Sequence, residues 1–78
     1  MTKIRFNTDS ITISEIVEFF EQFMFISKPT LAENGGVALG ALTFYPDGTM
    51  ETEVPLKNQV LQVILKELRE AGHEYEII

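Results

Sequence analysis

The sequence predicts an α+β fold, one sheet of four antiparallel strands covered by two helices. Three observations predict it. Apolar and polar residues alternate near both ends of the chain. Two long segments between them repeat apolar residues at helical spacing. In the middle, a Pro-Asp-Gly turn joins two strand-like runs.

The elements follow in order. Lys3 to Phe6 alternates, with Ile4 and Phe6 on one face, and predicts the first strand. Asn7 to Ser10 is a cluster of turn-formers. Thr12 and Glu15 then have the spacing of a capping box, and Ile11 and Ile16 that of a hydrophobic staple. Ile13, Ile16, Val17, Phe20, Phe23 and Met24 form an apolar stripe, so a helix is expected from about Ile13 to Ile26. Pro29 blocks its continuation, and the segment from Ser27 to Gly36 reads as a loop. Val37 to Tyr45 reads as one strand, with Gly40 marking a bulge or a close approach inside it. Pro46-Asp47-Gly48 is a tight turn, and Thr49 to Val54 is the third strand.

Pro55 suits the first position of a second helix. Leu56, Val60, Leu61, Ile64, Leu65, Leu68 and Ala71 give that helix a broad apolar face. Gly72 sits where a helix C-cap glycine belongs. His73 to Ile78 alternates again and predicts the last strand, with Tyr75 and Ile77 inward. This βαββαβ succession is that of a ferredoxin-like sandwich. Right-handed crossovers give the strand order 4-1-3-2, with both helices on one face of the sheet. The charges agree with that order. Lys3 and Arg5 on the central strand would be flanked on the open face by Glu51 and Glu53, and by Glu74 and Glu76.

With 78 residues and 45% hydrophobic content, the chain reads as a single domain, residues 1–78, with one modest core. It has no cysteine, which removes disulfides, thiolate metal sites and a Cys nucleophile. No apolar run is long enough for a membrane span, and the first ten residues lack a signal-peptide core. A cytoplasmic protein without membrane contact is expected. Twelve acidic and six basic residues give a net charge of −6, which argues against direct nucleic-acid binding.

The glycines Gly35, Gly36 and Gly40 do not make a phosphate loop. A helix precedes them, a strand follows, and no Lys stands after Gly40. His73, Glu74 and Glu76 alternate in direction on one strand, so they cannot converge on a metal. One histidine, and serines outside any nucleophile-elbow context, assemble no triad. Among well-known users of the fold, metal-chaperone domains need a CxxC motif, which is absent. RNA-recognition domains need aromatic residues on the open face, where this chain has Lys3, Arg5, Glu51 and Glu53. Acylphosphatases need an Arg in a glycine-rich loop after the first strand, where this chain has Asn-Thr-Asp-Ser.

The least ordinary stretch is Phe19 to Ile26, which holds four of the six phenylalanines. Phe19 and Ile26 widen the apolar face, and Phe25 falls in the polar arc with Glu15, Glu18, Glu21 and Gln22. Phe19, Phe23, Phe25 and Ile26 are therefore the expected partner or dimer interface. A second surface is acidic: Glu15, Glu18 and Glu21 on the helix, and Glu51, Glu53, Glu74 and Glu76 on the sheet. The function expected is a small acidic, non-enzymatic protein-binding module without cofactor or metal. By analogy of size and charge, it is a regulator or inhibitor of the phage or mobile-element type. Its partner is another protein, a second copy in a homodimer, or both. The alternative is a dimeric small-molecule sensor binding its ligand between subunits or under the Ser27–Gly36 loop.

Overall fold

A computed structural model describes residues 1–24, 30–31 and 35–78. Among them are two helices, α1 (Ile13–Met24) and α2 (Gln59–Glu70). The strands are β1 (Thr2–Phe6), β2 (Thr30–Leu31), β3 (Val37–Leu39), β4 (Leu42–Phe44), β5 (Thr49–Thr52) and β6 (Tyr75–Ile77). They form one antiparallel sheet in the order β2-β3-β4-β5-β1-β6.

The α+β class is as expected, but the sheet has six strands where four were expected. Val37 to Tyr45 is not one strand. It reverses at Gly40 and Ala41, so Leu39 pairs with Leu42 and Val37 with Phe44. Gly40 has a φ of +59°. Glycine adopts that left-handed conformation without steric penalty, and two-residue hairpin loops require it. The expected bulge is thus a full turn. The other extra strand, β2, pairs with β3 at the edge of the sheet.

The α1 entry is built as expected. Thr12 Oγ1 accepts from the Glu15 backbone N–H at 3.2 Å, and Glu15 Oε1 accepts from the Thr12 N–H at 3.1 Å. Ile11 and Ile16, the staple pair, are both buried. The expected end of this helix at Ile26 lies outside the described residues.

Helix α2 starts later than expected. Its N-cap is Asn58, whose side-chain oxygen accepts from the backbone N–H groups of Val60 and Leu61. Pro55 instead opens a turn closed by the Asn58 N–H donating to its carbonyl at 2.9 Å. A capping side chain satisfies two orphan donors, which a proline at the first position does not. At the other end, Gly72 has a φ of +90°. The His73 N–H donates to the Leu68 carbonyl and the Gly72 N–H to the Arg69 carbonyl, the two bonds of a Schellman cap.

One buried cluster joins the layers: Ile4 and Phe6 from β1, Leu39, Leu42, Phe44 and Met50 from the next strands, and the inner faces of both helices. Phe20 lies at its centre, with its ring centroid 6.1 Å from that of Phe6 and 5.3 Å from that of Phe44. Three inward assignments need correction. Val60, Ala71 and Ile77 are exposed, Val60 and Ile77 by 50% and 55%. Val60 and Ala71 lie at the two ends of α2, beyond the buried stripe of Leu61, Ile64, Leu65 and Leu68. Ile77 lies on an edge strand, where neighbours cover one side only.

Candidate functional site

Phe19 and Phe23, one turn apart on α1, are half-buried against the core, with ring centroids 5.4 Å apart. Phe25 and Ile26, the other two expected interface residues, lie outside the described residues. Phe23 also forms one wall of an apolar groove of about 500 Å³. Leu42 of β4, Val54 after β5, and Val60, Leu61 and Ile64 of α2 supply the rest, with Asn58 at the α2 N-terminus. Asn58 is the polar member of that set, and its carbonyl oxygen is engaged in capping. The described lining therefore offers shape and apolar surface and no titratable group.

The expected acidic surface divides by the work its members do. Glu15 is committed to the capping box. Its carboxyl is held below the ordinary glutamate value of 4.5, first by the Thr12 backbone N–H and then by the Thr12 hydroxyl. Glu18 is exposed and Glu21 half-buried. On the sheet, Glu51 lies directly across from Lys3 and its carboxylate is 3.4 Å from the Lys3 ammonium. Glu51 also accepts from the Tyr45 hydroxyl at 3.2 Å. Glu76 lies across from Arg5, 3.6 Å from its guanidinium. Glu53 and Glu74 are exposed and fall just outside β5 and β6. The open sheet face thus carries cross-strand ion pairs at Lys3 and Arg5, each worth a few tenths to about 1 kcal/mol.

Two carboxylates tie stability to pH. Asp47 Oδ1 accepts from the Thr49 N–H at 2.9 Å, and this bond is the first cause lowering its pKa from 3.8. Glu15 is lowered by the same kind of bond. A carboxylate with a depressed folded pKa adds stability above its unfolded value, and loses it as pH falls through the folded one. Melting temperature should therefore drop on acidification below about pH 4.5. The Glu15→Gln, Asp47→Asn double variant should drop less, and melting scans at descending pH check it. Parallel curves would refute the assignment.

The fold brings together one pair that the sequence does not signal. His73 Nδ1 is 3.3 Å from Ser10 Oγ, across 63 residues of chain. Ser10 Oγ itself donates to the Asn7 carbonyl at 3.2 Å. With its proton turned to the Asn7 carbonyl, the Ser10 hydroxyl does not give it to the ring, as an activated nucleophile would. Among the described residues, no group of three or more His, Asp or Glu is placed to hold a metal ion. No described helix is long and apolar enough to cross a membrane. Beside Gly35 and Gly36 there is an open hollow of about 440 Å³, with Thr8, Thr12, Ile13, Val37, Phe44 and Pro46 around it.

No family model matches the chain, and no curated protein or solved structure matches it. The groove was not legible in the sequence because its walls come from α1, β4, the segment after β5 and α2. Only Phe23 among its lining stood out beforehand. The Asn58 cap, an Asn just before a helical run, was the readable signal for where its α2 wall begins.

Proposed function

We propose that this chain is a small acidic, non-enzymatic protein-binding module, and that it takes apolar side chains of its partner into the groove beside Phe23. The observation that carries this reading is the lining: apolar walls from both helices and the sheet, with the side-chain oxygen of Asn58, the one polar residue of the described lining, already engaged in capping. Such a site binds through burial of apolar surface and has no group for proton transfer or nucleophilic attack. Phe19, one turn from Phe23 on α1, extends the same surface along that helix. The net charge of −6 favours a basic partner, since complementary charge raises the association rate. A regulator or inhibitor acting in the cytoplasm is the role that fits. The strand neighbours β6-β1-β5-β4 keep the 4-1-3-2 order, which supports a ferredoxin-like sandwich extended at one edge by β3 and β2.

Val60 provides the test. It is half-exposed at the groove and two residues after the N-cap Asn58. A glutamate there interacts well with the positive end of the helix dipole, so Val60→Glu should fold at least as stably as wild type. Affinity capture from cells of the source organism, with wild type and variant side by side, should recover a protein that Val60→Glu loses. A capture unchanged by Val60→Glu would move the site elsewhere.

A second reading is a dimeric small-molecule sensor. The groove volume of about 500 Å³ favours it, because ligand sites commonly span about 300–1,000 Å³. It predicts that an apolar metabolite raises the melting temperature of wild type but not of Val60→Glu. Light scattering of both proteins shows whether the groove is a dimer contact instead.

A further inference from the structure

Strand β6 ends the sheet, with β1 as its neighbour on one side and no described strand on the other. Its register shows which backbone groups face outward. The Asn7 N–H donates to Glu74, and the Ile78 N–H donates to Lys3. Ile4 faces Ile77, Arg5 faces Glu76, and Phe6 faces Tyr75. Hydrogen-bonded and non-hydrogen-bonded pairs alternate in an antiparallel ladder. Glu74, Glu76 and Ile78 therefore turn their peptide groups toward β1. Tyr75 and Ile77 turn theirs away, so two N–H donors and two carbonyl acceptors form an open edge.

The side chains at this edge are sorted by face. On the open face stand Glu76, beside Arg5, and Glu74. On the helix side, Tyr75 lies under Arg69, whose guanidinium is 4.6 Å from the ring centroid. Half-exposed Val63, with Gln62, Lys66 and Arg69, borders a hollow of about 340 Å³ next to it. Ile77, on the same face of the strand as Tyr75, is 55% exposed.

From this geometry we infer that β6 is a docking edge for an extended segment of another protein, one that alternates basic and apolar residues. The segment adds an antiparallel strand and bonds to Tyr75 and Ile77. Its basic residues stand opposite Glu76 and Glu74, continuing the row of alternating charge begun by Arg5 and Glu76. Its apolar residues cover Ile77 and the Val63 hollow. The glutamates also select against a second copy. Two β6 strands paired about Glu76 would set carboxylate against carboxylate, and like charges directly opposite destabilise a pair. This edge is separate from the groove beside Phe23, and either surface can fail without the other.

Ile77→Pro tests the inference, because a proline removes an outward N–H and leaves the bonds to β1 in place. The probes are a soluble peptide alternating Lys and Val, and its Glu and Val counterpart, titrated calorimetrically at low salt. Wild type should bind the basic peptide, more weakly as salt rises, and not the acidic one. Ile77→Pro should weaken binding by about tenfold or more, and Glu74→Lys with Glu76→Lys should exchange the preference. Backbone exchange gives a readout free of any folding defect. On wild type, the peptide should slow exchange of the Tyr75 and Ile77 amides and leave Glu76 nearly unchanged. Absence of binding to the basic peptide would overturn the inference. So would equal binding of both peptides, or a wild-type dimer that Ile77→Pro dissolves.

Discussion

Phe20→Ala should remove most of the protein's folding stability. Phe20 is fully buried, and its ring meets Phe6 and Phe44 edge-on from the middle of α1. It therefore holds the helix layer against β1 and β4 at once. Truncating a buried Phe to Ala typically costs about 3–5 kcal/mol, from lost transfer energy plus the cavity left behind. A domain of this length has a total stability near the lower end of about 5–15 kcal/mol, so the loss consumes most of it. Urea denaturation followed by circular dichroism measures it. The midpoint should fall sharply for Phe20→Ala and much less for Phe20→Leu, which keeps most of the volume. A midpoint for Phe20→Ala within error of wild type would mean that the helix layer is anchored elsewhere.

Gly48→Ala is the second large effect, and it acts through the backbone. Gly48 closes the Pro46-Asp47 turn between β4 and β5 with a φ of +96°. A left-handed conformation costs a residue bearing a Cβ about 1–2 kcal/mol. Here a Cβ would also stand 2.9 Å from the Phe6 carbonyl oxygen and 2.9 Å from Thr8 Cγ2. The Phe6 N–H donates to the Gly48 carbonyl at 2.8 Å, so the turn cannot move away from β1 without losing that bond. The combined destabilisation should be about 2–4 kcal/mol. Gly72→Ala is the control. It has a φ of +90° but nothing within 4 Å of the added Cβ, so it should lose only the conformational part. The difference between the two variants in thermal or urea melting reads the clash directly, and equal losses would refute it.

These two positions differ in how far the sequence announced them. Pro46-Asp47-Gly48 is a turn on local grounds alone, since proline presets φ and glycine allows a positive one. That Gly48 is also pressed against Phe6 depends on β1 lying beside β5, a contact between residues over 40 positions apart. The same division runs through the expected interface. Phe19 and Phe23 could be put on one helical flank by their spacing. That Phe23 faces a groove closed by Leu42, Val54 and Val60 could not, because those residues belong to distant elements.

By itself the sequence determined the features that act over a few residues. These are the capping box at Thr12 and Glu15, the Pro46-Asp47-Gly48 turn, the Gly72 cap, and the inward faces of β1, α1 and most of α2. It also indicated that Lys3 and Arg5 would meet acids across the sheet, because alternation fixes the face of every strand residue. The tertiary structure decided where an unbroken apolar run turns back. Val37 to Tyr45 reads as one strand, because Leu39 and Ala41 beside Gly40 are apolar and no polar turn residue marks a reversal there. Only the pairing of Val37 with Phe44, and of Leu42 with Thr52, selects the hairpin. It also decided which apolar residues remain in contact with solvent. Burial depends on what lies opposite, and for Val60 and Ile77 nothing in the local pattern says that one side is left uncovered.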